Sequence, residues 1–189
     1  MADVADQILP ERTFHCEECG FDARSMSEDE LVAMIASFAR RYRAPLTRFL
    51  PGEDGAAVVR RRPAPEVWSA LEYACHSRDV LAFYRGRVER VLAEERPTFD
   101  AVGPVSPPDR VAQYHGEAAD GVAEQLAGEA TALAELLGGL APEQWQRIGL
   151  SSEGDGAERT VRVLAERAAH DPSHHLLDVG RSLRAARSS

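Results

Sequence analysis

Residues 160–183 read TVRVLAERAAHDPSHHLLDVGRSL. Val161, Leu164, Ala168, Leu176, Leu177 and Leu183 recur at helical spacing, which predicts an amphipathic helix burying one side. His170 and His174 stand one turn apart on it, so two imidazoles on one face can grip a divalent ion from the same side. Pro172 lies between them and offers no N–H to the carbonyl of Ala168, so the helix either bends there or breaks and restarts. A bend keeps the pair together; a break separates it. His175 points about 100° away from His174 and is expected to meet solvent or another helix rather than the same ion.

A further histidine, His76, lies in the segment EVWSALEYACHSRDVLAFYRGRVERVL, residues 66–92. One imidazole from a second helix would complete a facial set with His170 and His174 and leave a coordination position open, as catalytic ions require. The candidate metal ligands are therefore His76, His170 and His174. Asp178 follows His174 by one turn, while Glu72 and Asp79 flank His76 at helical spacing. Such carboxylates orient a ligand imidazole or carry a proton, which makes Asp79 and Asp178 the candidate catalytic groups. Arg78 and Arg162 are candidates for holding a substrate carboxylate.

Near the start, RTFHCEECGFDAR (residues 12–24) carries a C-x-x-C followed by glycine, the form of half a zinc knuckle. Cys16, Cys19 and the adjoining His15 offer donors for a second metal, with a fourth ligand still to be found; Cys75 and His115 are distant in sequence. A redox pair or inert thiols are the other readings of the motif. Three cysteines do not make a disulfide framework, so a reducing compartment, the cytoplasm, is expected. Cys75 reads as a core residue, Trp68 and Trp145 as packing residues, and His115 as a helix-terminal histidine.

The rest of the chain predicts an all-α protein. Ser27 and Glu30 form a capping box ahead of Leu31, Met34, Ile35, Phe38, Tyr42, Leu46 and Phe49, with Pro45 kinking the last turn. A turn at residues 51–55 precedes a second helix, opened by Pro65 and closed before Pro97. Residues 98–109 read as a linker. A third helix, capped by Asp109, runs to Gly138-Gly139, and a helical turn at Trp145 and a Gly-rich loop lead to the fourth. No strand pattern is evident. The expected organisation is an N-terminal extension with the knuckle (1–26), a four-helix bundle (27–184) and a frayed tail (185–189). A net charge of -9 gives no electrostatic reason to bind nucleic acid or an anionic membrane. The clusters Arg40, Arg41, Arg43 and Arg60, Arg61, Arg62 read as solvated or locally paired, or as a dock for a small anion. No apolar run is long enough to span a bilayer.

The segments WSALEYACH and HDPSHHLLDV resemble those of the DinB-like superfamily, which includes the mycothiol-dependent maleylpyruvate isomerase relatives and the bacillithiol transferases. The resemblance covers most of residues 27–184. It implies an up-up-down-down four-helix bundle with a three-histidine divalent metal site, here His76, His170 and His174. It further implies a metal-dependent enzyme acting on a small molecule, a thiol-dependent S-transferase or isomerase. A metal-dependent hydrolase and a non-catalytic metal-binding or stress-response protein are the alternatives. The implied cofactor is zinc, with nickel or iron also compatible, and a low-molecular-weight thiol such as mycothiol as cosubstrate. A small-molecule substrate is the expected partner, for a monomer or homodimer.

Overall fold

Ser27 Oγ accepts the amide of Glu30 at 3.2 Å, and the Glu30 carboxylate takes the Ser27 amide at 2.7 Å, so α1 (Glu28–Thr47) starts where its capping box predicts. The computed structural model describes residues 15–99, 108–151 and 157–188. Pro45 sits within the last turn of α1 without ending it. After the turn at residues 51–55 comes a short helix, α2 (Gly55–Arg60), which the sequence pattern does not reveal. The second long helix, α3 (Ala70–Ala93), begins five residues later than Pro65 suggests. Its true start is a second capping box, Ser69 with Glu72. The carboxylate of Glu72 is buried and also takes a forked pair of bonds from Arg62, which ties the preceding loop to the helix.

The third helical stretch is two helices, α4 (Pro108–Tyr114) and α5 (Ala119–Gly138). The break falls at Gly116, where a helical residue costs about 1 kcal/mol against alanine. Arg60 takes up the carbonyls of His115 at 3.2 Å and Glu117 at 2.7 Å there. The last helix, α6 (Val161–Arg187), is capped by Thr160 and continues through Pro172, so the proline does not interrupt it. It also runs through most of the expected tail.

Leu31, Ile35, Phe38, Tyr42 and Leu46 of α1 pack chiefly on α5, through Val122, Leu126, Leu133 and Leu137. The α3 face of Leu71, Cys75, Leu81, Tyr84 and Val88 packs chiefly on α6. Contacts of α3 with α5 and of α1 with α6 close the four-helix bundle. Ala165, Ala168 and Ala169 let α6 approach its neighbours closely. Leu177, counted from the sequence on the apolar side, is 39% exposed because the buried stripe follows Ala165, Ala168, Pro172 and Val179.

A three-stranded sheet departs from the all-helical expectation without changing the class: β1 (Thr98–Phe99), β2 (Ile148–Ser151) and β3 (Glu158–Thr160). β1 pairs parallel to β2, with Thr98 opposite Leu150, and β2 pairs antiparallel to β3, with Ile148 opposite Thr160. Strands this short show no readable alternation. Gly149 is required where the Phe99 ring presses on β2, since a Cβ there would stand 2.3 Å from it. Arg147 joins the sheet to the end of α3 by donating to the carbonyls of Val91 and Glu94, at 2.9 and 2.8 Å. The expected linker (from residue 100 to 107) and the Gly-rich loop at 152–156 lie outside the described residues.

At the bundle centre the buried Tyr42 hydroxyl donates to the Pro172 carbonyl at 2.7 Å and meets Ser77 Oγ at 2.7 Å. Tyr42→Phe removes this shared partner from two buried oxygens and is expected to lower unfolding free energy by about 1–3 kcal/mol in urea denaturation.

Candidate metal centre

Gly20 has φ +73°, a left-handed conformation that glycine adopts without strain. With the amide of Cys16 donating to Phe21 O and that of Gly20 to Cys16 O, both at 2.9 Å, it folds residues 16–21 into a tight knuckle. Phe21 is buried and lies 5.5 Å from the His170 ring, which seats the knuckle on α6. Arg162 holds the following turn through the carbonyls of Ala23 and Met26, and Arg181 pairs with Glu18 at 2.6 Å.

This seating brings Cys16, Cys19, His170 and His174 together, with one donor atom of each within 4.8 Å of all the others. Nδ1 of His174 stands 3.5 Å from Cys16 Sγ, while its Nε2 faces Glu18 at 3.5 Å and Asp178 at 3.9 Å. Nδ1 of His170 meets Asp171 Oδ1 at 2.9 Å, and its Nε2 is buried. Burial raises the Cys16 thiol, but the Cys19 amide and the rings of His170 and His174 outweigh it and bring it down to about 6. Burial pushes the Cys19 thiol up to about 11. Burial also opposes protonation of His170, yet Asp171 and Cys16 hold that imidazole above its ordinary value. The donor set of two sulfurs and two nitrogens suits a borderline divalent cation.

His76 stands outside this group. Its ring faces His175 at 5.0 Å and Trp68 at 5.3 Å, and His175 in turn lies 5.2 Å from Tyr73. The α6 histidines therefore serve two sides: 170 and 174 meet the knuckle, while 175 meets α3. Asp171 acts electrostatically on both His76 and His175, and Asp178 accepts from His175 Nδ1 at 3.1 Å. His15 is placed against Asp22 at 3.7 Å rather than with the cysteines.

Asp79 is committed elsewhere. It accepts from Arg78 at 2.9 Å, Arg110 at 2.9 Å and the Tyr114 hydroxyl at 2.6 Å, so it has little capacity left to act as a base. Arg78 is buried and held by Glu117 and Gln125, and Arg162 serves backbone carbonyls and Glu166, so neither is available for a substrate carboxylate. Arg60, Arg61 and Arg62 likewise bind carbonyls and Glu72. Cys75 and Trp145 are core residues, as expected, while Trp68 contributes to the wall beside His76. Sequence spacing did not single out Asp171 and Glu18 as partners of the histidines. An i,i+4 pairing of Asp171 with His175 was its one visible trace.

Fold and site together define a four-helix-bundle protein with a cluster able to hold a divalent metal. The profile of the DinB superfamily matches residues 54–179, and the chain belongs to that superfamily. Its fold is similar to that of YfiT from Bacillus subtilis, whose structure is described as "a probable metal-dependent hydrolase with an unusual four-helix bundle topology". The two share 15% identity at a TM-score of 0.68, over 85% of this chain and 89% of the other. Among curated proteins no sequence matches. Among the described residues, no helix is long and apolar enough to cross a membrane.

Burial, and next the charge of His175, pull His76 down to about 4. In the metal-free chain His76 stays neutral where the unfolded chain, near 6.5, takes up a proton. Its contribution to stability is intact above that value and is lost as the pH falls toward about 4. Urea midpoints of the metal-free protein are expected to drop between pH 7 and 4.5, and the drop should be shallower in His76→Asn. An equal drop in both would remove His76 as its source.

Proposed function

We propose that the chain is a metal-dependent hydrolase of small molecules whose reaction face is built from His76, Asp171 and His175. The observation that carries this reading is the pair of imidazoles facing each other from α3 and α6 at 5.0 Å between ring centroids, beside Asp171. Imidazoles offered from α3 and α6, with the Asp171 carboxylate acting electrostatically on both, suit a divalent cation and leave coordination positions unfilled. Zinc, nickel and iron all suit such a donor set. An ion bound there supplies Lewis acidity and makes water a stronger acid.

The chain's own residues supply the remainder. Asp178 holds the Nδ1–H of His175, which fixes the tautomer and leaves Nε2 as the nitrogen on offer. Asp178 is also placed to take a proton, since its carboxyl stays below the usual range: burial works against this, but His175, His174 and Arg181 prevail. Trp68 and Tyr73 flank the two imidazoles and provide an aromatic wall for the apolar part of a substrate.

Two carboxylates beside His175 favour water over an anionic thiolate as nucleophile. This ranks hydrolysis above S-transfer or isomerisation with a mycothiol-like cosubstrate, and the description of YfiT supports the same order.

The test is a panel of esters, amides and lactones offered to the protein loaded with zinc, nickel or iron, with and without low-molecular-weight thiols. Thiol-independent hydrolysis is expected, abolished in His76→Ala and His175→Ala. Asp178→Asn should lower kcat/KM by about 10- to 100-fold. Turnover only with added thiol would establish the transferase chemistry instead, and metal binding without turnover would mark a non-catalytic protein.

A further inference from the structure

We propose that Cys16, Cys19, His170 and His174 form a second, closed metal site that binds Zn²⁺ through four protein donors and fastens the N-terminal knuckle to α6. This site stands independently of the hydrolase reading and shares no donor with it.

The donor geometry comes first. Zinc–sulfur bonds of about 2.3 Å and zinc–nitrogen bonds of about 2.0 Å set tetrahedral donors about 3.3–3.8 Å apart. The four donors here already lie within 4.8 Å of one another, so closing on an ion requires each pair to contract by no more than about 1.5 Å, within side-chain rotation.

Both histidines are also dressed as ligands. His170 gives Nδ1 to Asp171 at 2.9 Å, which leaves its buried Nε2 as the metal-facing atom. His174 turns Nδ1 to Cys16 and Nε2 to Glu18 and Asp178. Asp171 thereby fixes the tautomer of His170, as carboxylates do for metal-bound imidazoles, and Glu18 and Asp178 face the His174 nitrogen turned away from Cys16. The acidic group of Glu18, His174 and Asp178 is on this view the outer layer of the same site.

Charge and burial agree. Two thiolates and two neutral imidazoles bring Zn²⁺ to zero net charge, the least costly state beside the buried Phe21 ring. Four protein donors fill a tetrahedral ion, so this site has no open position and performs no chemistry.

Its role is mechanical. Of the described residues ahead of α1, only Phe21 and Ala23 are buried, too little apolar surface to hold the segment alone. A metal supplies that missing stability, with the Cys19 thiol proton released on binding. Because Asp171 holds His170 through Oδ1, fixing His170 also fixes Asp171 on the neighbouring face.

Cobalt(II) is the probe. Titrated into the metal-stripped full chain, it is expected to give one equivalent of thiolate-to-cobalt charge-transfer absorption with the intense visible bands of tetrahedral cobalt. Its charge-transfer bands, which only the cysteine site can give, should be unchanged by added azide, since no position is open there. His76→Ala should keep the whole signal, whereas Cys16→Ser with Cys19→Ser should lose it, and His170→Ala should weaken or shift it. Absence of charge transfer in the wild-type chain would overturn the proposal without any variant. So would loss of the signal in His76→Ala with helical circular dichroism retained, because that would make the two sites one. An azide shift of the thiolate charge-transfer bands would overturn the closed assignment. Failure of the hydrolase reading leaves all these spectra unaffected.

Discussion

The Tyr42 hydroxyl reaches from α1 across the core and donates to the carbonyl of Pro172, beside Ser77 of α3. Three helices thus converge on the residue where α6 lacks an N–H of its own. Because α6 continues through that point, residues 170, 171, 174 and 175 keep helical register. The directions in which these four side chains leave the helix follow from this register. His170 and His174 point to the knuckle, and His175, a single residue on and about 100° around the axis, points to α3.

Around this centre the charged groups divide into two populations. Arg78, Asp79, Arg110 and Glu117 join α3 to α4 and to the turn between α4 and α5 through a network centred on the buried Arg78. Their carboxylates and guanidinium groups satisfy one another, so their role is architectural. Asp171 and Asp178 are bonded instead to histidines, His170 at 2.9 Å and His175 at 3.1 Å. The same residue types serve opposite ends according to what they face.

Most of the architecture was legible in the sequence because it rests on local signals. The Ser27–Glu30 box, the apolar stripe of α1 and the periodicity of α3 and α6 each state a helix without reference to the rest of the chain. Signals that the pattern hides are of two kinds. Short elements such as α2 and β1 to β3 have too few residues to show a period. The second kind is tertiary: the split between α4 and α5 relies on Arg60 from a helix distant in sequence. At the site, His170 and His174 were recognisable as a pair and Cys16 and Cys19 as another. That the two pairs meet, while His76 faces His175, depends on helix rotation and on a contact across 158 residues, which no local spacing encodes.

That contact has a consequence for how the chain is made. The thiols of Cys16 and Cys19 leave the ribosome well before the imidazole of His174, which is 158 residues beyond Cys16. Closing so long a loop is entropically expensive, and it can happen only after α6 has docked. Throughout synthesis the cysteines are therefore exposed to whatever metals and oxidants surround the nascent polypeptide. Any product truncated before α6 keeps them so.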